Sequence, residues 1–401
     1  MLHKQKLTYY NNKNVEDFLH KVLVEVSNVF KDNFSHEQTA ALILIGGYGR
    51  GEGGVVIENL VPSPHNNLDL LYIHNGRIPA HTINLVNELL QVTSKKYSIG
   101  IDMFTINKQK LLNLNGLVIG YDMRYGHKTL LGNSTFLKEH KSFSIYNIDT
   151  TDVRQLIVNR GTLLLINRLL LQKESLMKEE RKLIIKHCIK AIIGYGDALL
   201  YFNNLYHWSY AKKQSNMSQS TSIDPKIKTL YSEAISFRFL PNYEEYLLKD
   251  LESWNDELIE IFSSIHLYCE TINLNKTELN WDNYLATALD KKSFSRQNLP
   301  QKIKSCIYGL KKPSIITELD SPFQAISYMQ FGAKGILSLL FPYIAYKVYP
   351  ERYHTMFKKI LSTENINETS LLNGFLLLWA KYGDTNFINV LNIHNIKLEK
   401  S

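Results

Sequence analysis

Gly46-Gly47-Tyr48-Gly49-Arg50-Gly51-Glu52-Gly53-Gly54 follows the apolar run Ala41-Leu42-Ile43-Leu44-Ile45, and how this junction is read decides the fold. A short continuous apolar run that stops at glycines fits a buried strand. Downstream stand Asn67-Leu68-Asp69-Leu70-Leu71 and Ile101-Asp102-Met103-Phe104, which place acids on two further apolar runs. Glycines let backbone N–H groups come close to an anion, and clustered carboxylates suit a hard cation. Together they suggest a phosphate and metal site.

Two familiar glycine signatures are weighed and set aside. Gly49-x-Gly51-x-x-Gly54 with Asp69 about twenty residues on has the form of a dinucleotide fingerprint, which requires a helix to open near its third glycine. Residues 55–67 (VVIENLVPSPHNN) instead hold two prolines and no helical period, and Asp69 begins the next strand where the fingerprint wants an acid at a strand end. A Walker-type loop lacks its Gly-Lys-Ser/Thr ending.

Outward from the glycines, residues 15–30 carry apolar side chains on one helical face, residues 68–73 and 97–106 read as strands, and residues 83–92 as a helix. Pro62, Pro64 and Pro79 punctuate the loops. After Thr151 the spacing turns to three and four, over residues 153–171, 183–202, 243–269, 281–289, 322–348 and 371–382. The expected fold class is α+β: a small mixed-sheet domain over residues 1–150, then a mostly helical domain over 151–401. The polar stretch 212–224 (KKQSNMSQSTSID) reads as an exposed loop, and a further division is placed near 212–225.

At 401 residues, with 44% apolar and 21% charged side chains, the composition is that of a soluble globular protein. The net charge of +8 favours anionic partners mildly, since no dense Lys/Arg block concentrates it. Cys188, Cys269 and Cys306 are too scattered for a metal knuckle and read as core thiols of a reducing compartment. No signal-like or membrane-length apolar segment is evident, so a cytoplasmic protein with no membrane partner is expected; secretion without a cleaved signal would leave no trace.

A strand ending in Gly-Gly, a loop, an Asp-x-Asp on the next strand and a lone Asp on a later one resembles the DNA polymerase β-like nucleotidyltransferase superfamily. Gly46-Gly47, Asn67-Leu68-Asp69 and Asp102 carry the likeness, and GGYGRGEG with a proline-containing excursion resembles stand-alone bacterial and archaeal members with a helical C-terminal half. It covers roughly the first third of the chain. The resemblance implies transfer of a nucleoside monophosphate from an NTP to an acceptor hydroxyl on a protein, a tRNA or a small molecule, with pyrophosphate released. It implies Mg²⁺ or Mn²⁺ held by Asn67, Asp69 and Asp102, with Gly46, Gly47 and Arg50 at the triphosphate.

The chain departs from the family at Asn67, where an acid is usual; an amide oxygen can coordinate a metal but brings no charge. Glu52 is the candidate compensating carboxylate on the nucleotide side. In the helical half, Arg160, Lys190 and Asp197 are further nucleotide-side candidates, with a solvated charged stripe as the plain reading. Gly194 and Gly196 flank Tyr195 just before Asp197, where helical glycine needs a close approach to justify it. Tyr206-His207-Trp208-Ser209-Tyr210 offers rings for stacking or for the core. Arg124, His127 and Lys128 form a candidate basic rim. The competing reading is a catalytically impaired nucleotide-binding or protein-interaction module of the same fold.

Overall fold

A computed structural model describes residues 5–290 and 321–384, together with 303, 306, 307, 319, 386–393, 396 and 398. The chain divides into two compact units, Met1–Asp149 with Leu205–Asn242, and Thr150–Asn204 with Tyr243–Ser401. A single boundary near residue 150 does not anticipate this: after two helices the chain returns to the first unit for 205–242.

The first unit is mixed α and β. Helix α1 (Lys13–Asn33) precedes β1 (Thr39–Ile45), the short helix α2 (Gly46–Arg50), β2 (Val55–Glu58), β3 (Val61–Pro64) and β4 (Leu68–His74). Helix α3 (Ala80–Tyr97), β5 (Ile101–Asn107), α4 (Val118–Tyr125) and β6 (Lys128–Gly132) follow. The main sheet has the order β5-β4-β1-β6, with β1 antiparallel to both neighbours and β4 parallel to β5. Successive side chains of a strand point to opposite faces. Leu42, Leu44, Leu68, Leu70 and Tyr72 accordingly join Leu19, Val22, Val26, Val86 and Leu90 of α1 and α3 in one core cluster. Ala41, Ile43, Ile45, Leu71 and Ile73 form the other with Leu111, Met123 and Phe143. Burial on both faces is why β1 is apolar without alternation.

Three local expectations are corrected. Tyr97 ends α3, whose cap Ser98 sits at φ 51° with Lys95 and Lys96 in the last turn, so the third strand starts only at Ile101. Pro62 and Pro64 lie in β3, not in a loop: β2 and β3 pair as a hairpin turned by Asn59 (φ 49°) and Leu60 (φ 65°). Both strands of a two-stranded ribbon are edges, where proline's missing donor is tolerated. Residues 212–224 are not a loop throughout, since α7 (Tyr210–Gln219) forms there and α8 (Pro225–Phe239) follows.

The second unit is helical among the described residues. Helices α5 (Thr150–Leu171) and α6 (Lys178–Phe202) pair and α10 (Leu251–Leu274) packs on both. The apolar period over 243–269 splits into α9 (Tyr243–Leu247) and α10, because Asp250 caps the N–H groups of Glu252 and Ser253 and restarts the helix. Helix α11 (Trp281–Asp290) and the Pro322–Ala345 segment, kinked at Gly332 (φ 62°), belong to the same unit, as do the His354–Leu361, Glu368–Tyr382 and Asn386–Ile393 helices. Arg154 meets Glu270 through two 2.6 Å hydrogen bonds, both side chains buried. Among the described residues no helix is long and apolar enough to cross a membrane.

Candidate functional site

The parallel pairing of β4 and β5 puts Asp69 directly opposite Asp102. Neighbouring strands run about 4.8 Å apart, so the two carboxylates leave one face of the sheet side by side at the starts of their strands. Asn67 precedes β4 by one residue, and its Nδ2 donates to Asp102 Oδ2 at 2.9 Å. Gly100 makes room for it, since a Cβ there would collide with the Asn67 amide. Asn67, Asp69 and Asp102 therefore converge, with Asn67 and Asp102 exposed and Asp69 half-buried.

Gly46 arrives at the same place from β1, while Gly47 is buried and borders Gly53 and Glu52. Ile45 pairs with Asp69 across the antiparallel ladder, and Gly46 follows at φ 69°, a left-handed conformation. A Cβ on Gly46 would strike the Asp69 carboxylate, so this position requires glycine on two counts. Expected as a loop, Gly46–Arg50 is one turn of helix instead. Tyr48 ties it down from inside: its buried hydroxyl donates to Gly54 O at 3.0 Å and accepts from Asn66 N at 3.3 Å. Burial pushes that phenol up to about 12, which keeps it a donor.

Arg50 and Glu52 are placed differently from the expectation that they face a nucleotide. Arg50 Nη2 pairs with Asp122 Oδ2 at 2.6 Å, both side chains largely buried, and its guanidinium lies 4.9 Å from the Tyr210 ring centre. Burial opposes the charge, yet Asp122 and the surrounding tyrosines and Glu52 hold the guanidinium's pKa above its usual range. Glu52 is 8% exposed and accepts from Ser209 Oγ at 2.5 Å, Tyr210 N at 2.8 Å and Ala211 N at 3.3 Å. It anchors the start of α7, where a carboxylate satisfies otherwise unpaired N–H groups. Tyr206, from the aromatic cluster, donates to both oxygens of Asp122. Those aromatics are fastenings of the 205–242 return.

The basic rim is likewise committed to backbone. Lys128 Nζ donates to Gly49 O at 3.0 Å, and burial pushes its ammonium down to about 8. Arg124 reaches Lys141 O and Phe143 O. Half-buried His127 has its pKa lowered, chiefly by burial. Arg160, Lys190 and Asp197 belong to the second unit. The Arg160 stem lies where a Gly194 Cβ would be, so close helix packing accounts for that glycine; Lys190 is exposed and Asp197 buried.

Sequence reasoning missed Tyr48, Asp122 and Arg238. Tyr48 had a signal, being the one aromatic side chain within the glycine run. Asp122 and Arg238 meet the run from 72 and more residues away, and nothing local marks them. A groove of about 620 Å³ lined by His74, Arg77, Asn107 and Lys110 opens at the other end of β4 and β5. Five residues of strand, roughly 16 Å, separate it from the acids.

Among the described residues no group of three or more His, Cys, Asp or Glu side chains is gathered as a metal site. The donors at Asp69 are two carboxylates and an amide oxygen, a set of hard oxygens that fits one hydrated divalent ion better than two. Compared with protein-family models, with curated proteins and with solved structures, the chain matches none.

Proposed function

We propose that the chain is a divalent-metal-dependent nucleotidyltransferase, moving a nucleoside monophosphate from an NTP to an acceptor hydroxyl. The observation that carries this reading is the in-register pair of half-buried Asp69 and exposed Asp102, beside Gly46, where a Cβ would strike the Asp69 carboxylate. Asp69 and Asp102 would hold Mg²⁺ or Mn²⁺, with the Asn67 amide oxygen as a weaker donor. Such an ion supplies charge neutralisation at the triphosphate and eases loss of the acceptor's proton. Asp102, exposed on its open side, accepts that proton as the acceptor oxygen bonds to the α-phosphorus and pyrophosphate leaves. Gly46, half-buried at the turn, would admit the phosphates to the backbone, with buried Gly47 behind it. The acceptor class is a protein, a tRNA or a small hydroxylated molecule.

Incubation with labelled NTPs, Mn²⁺ or Mg²⁺ and cell lysate tests the reading. Transfer should fall by about 10³-fold in Asp69→Ala, a few kcal/mol of lost stabilisation, and rise in Asn67→Asp. A second reading has its own observation. The Asn67 amide donates to the Asp102 oxygen that a metal would use, which suits a binding module that has lost chemistry. Absence of transfer from both the native chain and Asn67→Asp, with NTP still bound, selects that module.

A further inference from the structure

Three cations crowd the ring of Tyr210 inside the first unit: Lys213 at 4.1 Å, Arg238 at 4.2 Å and Arg50 at 4.9 Å from its centre. Their situations differ. Arg50 is neutralised by Asp122, and Lys213 is fully buried within α7 between Tyr206 and Tyr210. Arg238, near the end of α8, makes no ion pair among the described residues, and its Nε is buried without a hydrogen bond. The side chain is only half-buried, and a planar fork of donors without a carboxylate partner matches a phosphate.

Its position says which anion. Arg238 Nη2 lies 3.4 Å from where a Cβ of buried Gly47 would stand, a position also bordered by Gly53 Cα and Glu52 O, so one arm of the fork reaches the second glycine of the pair. Gly46, one residue back, carries the Asp69 carboxylate against it. Consecutive Cα atoms are 3.8 Å apart, which puts Asp69 and the Arg238 fork within about 12 Å of each other. A polyphosphate chain coordinated at one end through Asp69 reaches the fork with the other.

We propose that Arg238 is the phosphate-gripping residue of this site, binding the triphosphate of the NTP beside the Gly46-Gly47 turn, while Arg50 serves the fold. The identity of the anion rests on the nucleotidyltransferase reading; the location rests on Arg238 itself. Calorimetric titration of the full chain with metal-free tripolyphosphate, and separately with Mg²⁺-ATP, tests it. Arg238→Gln should weaken tripolyphosphate at least 10-fold with an unchanged thermal midpoint. Arg238→Lys, which keeps the charge and loses the fork, should fall between. Undiminished tripolyphosphate affinity in Arg238→Gln overturns the proposal. If that variant does not fold, native affinity in Arg238→Lys overturns it instead, since a fork would then be irrelevant. Arg238-dependent binding without any nucleotidyl transfer leaves this inference standing and removes the enzymatic reading. Binding of neither ligand to the native chain removes both.

Discussion

Asp102 of the first unit and Glu270 of the second are carboxylates on regular elements, yet one is exposed at the start of β5 and the other is 1% accessible in the helical core. Glu270 is held by the Arg154 fork and by Asn273 at 3.2 Å. Burial alone would raise its pKa, but Arg154 overrides that and keeps it ionised. Asp102 receives an amide, Asn67, and otherwise faces solvent beside a second acid. The first arrangement satisfies a charge within the protein. The second leaves charge available, which costs little because water solvates it and which is useful only to something that binds there.

The comparison can be broken most forcefully at Arg154. Arg154→Ala strands a buried carboxylate and should cost about 3–5 kcal/mol in urea unfolding. A loss under about 1 kcal/mol would mean that Glu270 finds its protonated form cheaply.

The next effect is read by pH, beside the same pair. Burial pushes His266 down to about 4, with Glu270 raising it and Arg154 lowering it; its Nδ1 meets the Tyr346 hydroxyl at 3.0 Å. Between about 6.5, the unfolded value, and 4 the unfolded chain binds more protons than the folded one, so stability declines as pH falls through that window. The contribution is on the order of 3 kcal/mol, fully present above pH 6.5. Denaturant midpoints at pH 7 and pH 4.5 should differ accordingly and differ less in His266→Gln; a flat profile would contradict a neutral buried imidazole.

Smallest is Asp102→Asn, which should change stability by no more than about 0.5 kcal/mol because the carboxylate is exposed. Equal unfolding curves with transfer abolished would set the two carboxylates apart by use as well as by burial. A large destabilisation would put Asp102 among the structural charges after all.

Much of this was legible where local pattern and tertiary role agree. Strand β1 announces itself because both faces are buried, and Asp69 and Asp102 stand out because acids are out of place on apolar strands. Helix α7 was hidden because of its ten residues only Lys213 and Met217 are buried; its stability comes from Ser209 at the cap and from Glu52, 157 positions before it. Arg50 and Glu52 looked like free charges for the same reason. Their partners are distant in sequence, and a charge shows no sign of being already matched. Prolines 62 and 64 misled because proline marks a loop in a sheet interior but not in a two-stranded ribbon.

The return of residues 205–242 to the first unit also has a meaning in time. During synthesis the glycine run and its acids emerge early, but Asp122 waits for Tyr206 and Glu52 for Ser209. Those contacts span more than eighty residues and close late, after two intervening helices have been made. A fragment cut at residue 149 would keep the strands and both acids while leaving Glu52 without α7. The fastening of the glycine segment is therefore completed only when the chain comes back to it.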